Sequence, residues 1–218
     1  MIGVLDFFAV LLPGAIATWL LTYYLPPDLS SALLPGDGTP GVARWIAFVL
    51  MSYALGHFVF MGGSKLDPAY DRWRKRTKPL AQDVAFQAAQ KLRRQVTPTL
   101  SGGAFSTVNW ARSYIGIHQP QARLEIDRIE ANSKFFRGMV VISIMLAAHF
   151  LLARGDAVLA VGAIIACGLS FSRFCDQRWK MTELAYATAV IVYETRPDKA
   201  AAGAGEPPAS ARRSLHRA

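Results

Sequence analysis

The sequence predicts an all-α integral membrane protein, with four transmembrane helices joined to a cytosolic helical extension, on three observations. Apolar residues make up 52% of the 218 positions and charged residues only 18%, against roughly 45–50% and about 25% in an ordinary soluble domain. The apolar residues are gathered into four uncharged runs, at 7–25, 45–63, 138–153 and 157–172. Finally, no stretch alternates apolar and polar residues convincingly in the manner of a half-buried strand.

A bilayer core of about 30 Å needs roughly 20 helical residues, with about 17 as the lower limit. The first two runs, of 19 residues each, qualify outright, and the last two, of 16 each, need their flanks. Phe135 and Phe136 lengthen the third if Arg137 snorkels to the interface, and Arg173 does the same beneath the fourth. Pro13-Gly14 predicts a kink in the first helix, and Tyr23-Tyr24 an interfacial belt at its end. Asp6 and the lack of Lys or Arg before Phe7 make the first run a retained helix rather than a signal peptide.

The orientation follows from the basic residues. Of 24 Lys and Arg, 14 lie between Lys65 and Arg137 and eight between Arg173 and the C-terminus, leaving only Arg44 and Arg154. The positive-inside rule places both basic stretches in the cytoplasm. With an even number of spans, both termini lie there too, and bacterial inner membrane is the expected location. Arg44 beside Trp45 reads as an outer interfacial anchor.

Four segments result: a first transmembrane hairpin (1–63), a basic cytosolic helical segment (64–119), a long helical hairpin carrying the third and fourth spans (120–194), and a disordered tail (195–218) poor in large apolar residues. Lys65-Leu66-Asp67-Pro68 is expected to end the second helix, with Gly62-Gly63 as its cap. Pro79 then opens a helix over 80–96, with Leu80, Val84, Ala88, Leu92 and Val96 on one face. A short helix over 105–117 follows, with Phe105, Val108, Ala111, Ile115 and Tyr114 inward. Pro120 begins the long hairpin. Levelling its two helices at the outer turn puts Lys134 opposite Asp176 and Glu130 opposite Lys180, a charge register reinforced by the i,i+4 pairs Glu130–Lys134 and Asp176–Lys180.

The cluster Arg72, Arg74, Lys75, Arg76 and Lys78, just past the second run, suits an anionic lipid surface at roughly 1 kcal/mol per basic residue. That placement accounts for the charge without nucleic acid. His57 lies in the second run, and an ionisable residue in a span is a functional candidate by default. Asp67 and Asp71 are the nearest carboxylates. His149 lies at the opposite depth, so the two histidines share no metal. Cys167 and Cys175 lack disulfide or zinc spacing and read as packing residues. Gly162, Ala166 and Ser170 form a small-residue stripe, of the kind that lets helices approach closely, within the chain or between copies. No G-x-S-x-G, HExxH, GxGxxG or P-loop pattern occurs; no cofactor or metal is expected.

Leu12-Pro13-Gly14, Leu55-Gly56-His57-Phe58, Leu66-Asp67, Tyr70-Asp71-Arg72, Ser133-Lys134-Phe135-Phe136-Arg137, Arg178-Trp179-Lys180 and Leu184-Ala185-Tyr186 resemble an uncharacterised family of bacterial integral membrane proteins with four transmembrane helices. The resemblance covers most of residues 7–193 and implies the inner-membrane placement alone; no activity or site residue comes with it.

The expected function is non-enzymatic: a cytosolic helical module that binds an unidentified partner or senses a signal, on spans that anchor or assemble a homo-oligomer, with a channel or pore-forming effector as one version. Its ligands would be anionic membrane lipids. Two alternatives differ in class. One is an interfacial enzyme acting on an anionic lipid-like substrate through His57 with Asp67 or Asp71, which requires those side chains to converge. The other is a transporter subunit, which requires a polar cavity at the midplane.

Overall fold

The computed structural model describes residues 4–33, 41–98 and 106–196, and every element among them is helical. These are α1 (Val4–Thr22), α2 (Pro27–Leu33), α3 (Val42–Gly63), α4 (Asp67–Thr77), α5 (Val84–Val96), α6 (Thr107–His118), α7 (Pro120–His149) and α8 (Ala157–Glu194), with short 3₁₀ turns at Ser64–Leu66 and Leu80–Gln82. Phe105, the Ser101-Gly102-Gly103 loop and nearly all of the expected tail lie outside the described residues.

Among the described residues, three stretches are long and apolar enough to cross a membrane: Val42–Thr77, Pro120–Arg154 and Ala157–Glu194. The fourth apolar helix, Phe7–Thr22, is shorter. The second run thus qualifies as expected, whereas the first falls short and the third and fourth qualify outright. α1 stops at Thr22, with Tyr23 and Tyr24 in the turn beyond it, whereas α7 runs helically through charged residues before its apolar run and α8 through charged residues after its own.

The elements fall into two units, Met1–Pro79 with Ile126–Met181, and Leu80–Glu125 with Thr182–Ala218; α7 and α8 contribute to both. In the first unit α1 and α3 meet backbone to backbone. A Cβ on Gly14 would lie 1.8 Å from the Ser52 carbonyl oxygen, and one on Gly56 would lie 2.3 Å from that of Val10. The close approach brings two buried hydroxyls together: Ser52 donates to Thr18 Oγ1 at 3.1 Å, and Thr18 donates to the Gly14 carbonyl at 2.9 Å. Gly138 then admits α7, since its Cβ would sit 3.0 Å from Pro13 Cγ. Ala17, Val59 and Ile142 close this core, with Leu55, Val141 and Leu146 around them. In lipid, where apolar burial drives little, such glycine-mediated contact is what holds helices together.

The expected break after the second run does not occur. Gly63, Leu66 and Asp67 all keep right-handed helical torsions, so α3 passes through one 3₁₀ turn directly into α4, with Pro68 in the first turn, where its missing N–H leaves no helical bond unmade. The outer turn between α7 and α8 matches the short connection read from sequence. A π-helical turn at Phe150–Arg154 ends on Gly155 in the left-handed region (φ 65°), Asp156 N–H returns to the Phe150 carbonyl at 2.9 Å, and Asp156 Oδ1 caps α8 at Leu159 N.

In the second unit, α5 starts four residues later than Leu80, where a helix opened by Pro79 would begin. Asp83 caps it, accepting from Phe86 N at 3.1 Å, so Leu80 falls in the preceding turn and Val84 becomes the first helical residue, 79% exposed. The buried face is Ala89 and Leu92. In α6, capped by Ser106, the inward set is Thr107, Trp110, Ala111, Tyr114 and Ile115; Trp110, stacked on Tyr114 at 5.1 Å, belongs to a face the spacing rule missed. Ala185, Tyr186, Ala189 and Val192 are the buried residues of the end of α8. Asp83→Ala should lower stability by about 1 kcal/mol through loss of the cap, whereas Asp83→Asn keeps an acceptor and most of that stability; thermal unfolding of both variants checks this.

Candidate functional site

The polar junction of the first unit is built on Asp67, at the start of α4. Arg178 of α8 donates from Nη1 to Asp67 Oδ1 at 2.9 Å, and Arg137 of α7 approaches the same oxygen with its Nη1 at 3.5 Å. Two guanidiniums therefore share one carboxylate, and the group carries a formal charge of +1. Arg137 is the buried member, its side chain 9% exposed, against 33% for Arg178 and 39% for Asp67.

The expectation that Arg137 snorkels to the interface is overturned here. Gly63 lacks a side chain, and a Cβ there would meet Arg137 Cγ at 3.0 Å, so the arginine stem lies in the space that glycine leaves open. The Phe60 ring covers the guanidinium, centroid to Cζ 4.3 Å. Asp67, one turn further along, supplies the countercharge. Gly63 thus makes room for Arg137 and does not cap a helix. Arg137 Nε remains buried without a hydrogen-bond partner.

Beneath the carboxylate lies an aromatic cluster of Tyr70, Phe174 and Cys175, flanked by Leu66, Trp73, Phe136 and Phe171. Arg178 passes over Tyr70 (5.0 Å) and Phe174 (5.9 Å). Each cation–aromatic contact of this kind contributes about 0.5–2 kcal/mol. The junction therefore ties α4, α7 and α8 together at the point where the apolar runs end. Sequence reasoning named Asp67 but gave it the wrong companions. The available signal was Arg137 itself, since an arginine at the mouth of an apolar run requires a carboxylate at its depth.

The other candidates do not converge. His57 is exposed on α3, edge-on to Tyr53 with centroids 4.6 Å apart, and ten helical residues, about 15 Å of rise, separate it from Asp67. Asp71 is also exposed and pairs with Arg74 at 3.7 Å. The convergence of His57, Asp67 and Asp71 that an interfacial enzyme requires is absent. His149, by contrast, is buried: its Nδ1 lies 2.7 Å from Tyr24 Oη, and Tyr23 packs edge-on against its ring. Among the described residues, no three His, Cys, Asp or Glu side chains group as a metal site would need.

Within the basic cluster, Arg72, Lys75, Arg76 and Lys78 are exposed and Arg74 is partly buried; Lys78 reaches over the Trp179 ring at 5.1 Å. Lys134 pairs with Glu130 on its own helix at 3.4 Å, in keeping with their i,i+4 spacing; Asp176 is partly buried and Lys180 is exposed, and the ion pairs at Asp67 join α4 to α7 and α8. Packing within the chain is overturned for most of the small-residue stripe. Gly162 and Ala166 are exposed, a Cβ on Gly162 would meet nothing within 4 Å, and only Ser170 is partly covered. Along this stretch of α8 the buried small residues are instead Ala160 and Ala163.

Comparison of the chain with protein-family models, curated proteins and solved structures finds no match.

Proposed function

We propose that this is a non-enzymatic bacterial inner-membrane protein that crosses the bilayer four times, through α1, α3, α7 and α8, with both termini in the cytoplasm. Its second unit is a cytosolic helical module that binds a partner or senses a signal. The observation that carries this reading is the continuity of α8. One unbroken helix of 38 residues presents Val158, Val161, Ile165 and Leu169 on its surface and further on contributes Ala185, Tyr186 and Ala189 to a packed core. Large exposed apolar side chains in such numbers suit lipid contact, and the basic charge around α4 to α6 suits the cytoplasmic side. In the oligomeric version, a channel or pore-forming effector, the uncovered Gly162 and Ala166 seat a second copy.

The test is purification in detergent with determination of mass and co-purifying proteins, followed by ion flux in liposomes. An oligomer with flux, or a stoichiometric partner bound through α5 and α6, supports the reading. A monomer with neither overturns it. Labelling of single cysteines placed at 41 and 118 should reach only 118 from the cytoplasmic side; the opposite pattern overturns the orientation.

A further inference from the structure

The two long sides of α3 differ in what covers them. Ser52, Gly56, Val59 and Gly63, spaced four, three and four apart, are its buried residues and face the rest of the first unit. Leu50, Ala54, His57 and Met61 repeat that spacing two residues earlier, about 200° around the helix, and all four are exposed. Four-three-four is the heptad spacing of a seam between two helices, and the chain itself fills only one of the two seams. The open one carries an imidazole. His57 lies six residues, about 9 Å of rise, inside the end of the apolar run at Gly63. A helical side chain leans toward the N-terminus, which in α3 points away from Gly63, so this short side chain cannot reach the interface. Its ring stands edge-on to Tyr53 at 4.6 Å, and Tyr53 stacks on Phe7 at 5.5 Å. Among the described residues, neither the His57 ring nitrogens nor Tyr53 Oη has a hydrogen-bond partner.

We infer that Leu50, Ala54, His57 and Met61 form the contact face for a second copy of this chain, in which the Tyr53 hydroxyl of each copy donates to His57 of the other. Ionisable side chains within spans face a bundle interior and are paired there, because hydrocarbon offers them no partner. A His57 left facing lipid would break that rule, and one covered by a helix with a matching group keeps it. The occupant follows from self-complementarity. A phenol is a donor and a neutral imidazole offers an acceptor nitrogen; the two stand one turn apart on α3, so a single face supplies both halves of the bond. Copies inserted in the same orientation meet about a two-fold axis along the membrane normal, which brings equal depths together and makes the contact reciprocal. A foreign helix would need a polar group at this one depth, whereas a second copy has it by symmetry. Ala54, one turn from His57, lets the backbones approach, as small residues do between membrane helices. The inference rests on the membrane placement proposed above. It gives the homo-oligomer a face of its own, separate from the α8 stripe and independent of flux.

The experiment is oxidative disulfide cross-linking of the full chain in the membranes of the expressing cell, in a Cys167→Ala background. Ala54→Cys and Met61→Cys should each give a covalent dimer, and Val49→Cys, about a quarter-turn off the seam, should not. Energy transfer between copies labelled at the amino terminus, in phosphatidylcholine vesicles, then measures the association. His57→Leu and Tyr53→Phe should each weaken it about tenfold, the worth of two symmetry-related hydrogen bonds between membrane helices, and the double variant should be no weaker than either. His57→Asn keeps an acceptor at that depth and should recover most of the loss. Should His57→Leu fail to fold, Tyr53→Phe, which removes only a hydroxyl, decides the matter. Association unchanged in His57→Leu and Tyr53→Phe overturns the inference, as does equal cross-linking of Val49→Cys. Cross-links of Ala166→Cys with none of Ala54→Cys or Met61→Cys assign the second copy to the α8 stripe and overturn this face. A covalent product of Ala54→Cys with a different protein assigns the face to a foreign partner and overturns it too. Release of the protein from membranes by alkaline carbonate defeats the placement and this face together, whereas a protein retained by membranes but never cross-linked through the seam defeats this face alone.

Discussion

Gly14→Ala should yield no stable α1–α3 pair. The added methyl carbon would stand 1.8 Å from the Ser52 carbonyl oxygen and 2.7 Å from Gly56 N, and both neighbours are backbone atoms of one helix, which cannot rotate aside as a side-chain end can. The helices must therefore separate along their whole contact, breaking the Ser52–Thr18–Gly14 hydrogen-bond chain and withdrawing Pro13 from Gly138. A loss above about 4 kcal/mol follows, in the range reserved for gross overpacking and disrupted buried networks. Gly56→Ala should do the same, because its Cβ meets Val10 backbone at 2.3 Å. Gly168→Ala is the matched control: it lies on a helix of similar apolar character with nothing within 4 Å, and it should melt like the unmodified protein. The check is recovery of a monodisperse peak in detergent and its thermal midpoint. Normal melting of Gly14→Ala would show that the two backbones stand further apart than described.

The same glycines show how far the sequence can be read. Leu12-Pro13-Gly14 and Leu55-Gly56 stand out as motifs, but a sequence taken one helix at a time explains Pro13-Gly14 as a kink, and only the pairing of α1 with α3 turns Gly14 and Gly56 into facing contacts. Helical character was legible almost everywhere, since long apolar runs and an absence of alternation depend on local residues alone. Boundaries were less so. Gly62-Gly63 and Asp67-Pro68 carry every local mark of a helix end, yet α3 passes into α4 because Pro68 falls in a first turn and Arg137 lies against Gly63. Likewise Leu80, Val84, Ala88 and Leu92 make a regular stripe, but the Asp83 cap decides where the helix begins and so which residues turn inward. The site was the least legible part. Asp67 was visible as a carboxylate at the edge of an apolar run, but its partners come from two other helices, and nothing local separates Arg137, which becomes buried, from Arg173, which stays exposed.

That burial makes Asp67 the most informative charge to remove. Asp67→Asn leaves the Arg137 guanidinium enclosed by Gly63 and Phe60 without its ion-pair partner. Removing one member of a buried pair generally costs about 3–5 kcal/mol. Asp67 is 39% exposed and water screens part of that loss, so about 1–3 kcal/mol is expected here. The two arginines then predict different rescues. Asp67→Asn with Arg137→Met removes the stranded charge and fills its space with an unbranched apolar chain, and should recover most of the stability. Asp67→Asn with Arg178→Gln should recover little: Arg178 is one-third exposed and can turn to water, while Arg137 stays buried and unpaired. Thermal unfolding of the three variants in one detergent measures the difference. Equal rescue by the two double variants would make Asp67 an ordinary surface partner of Arg178. Selective rescue by Arg137→Met would make it the countercharge that allows an arginine to lie inside the helical bundle.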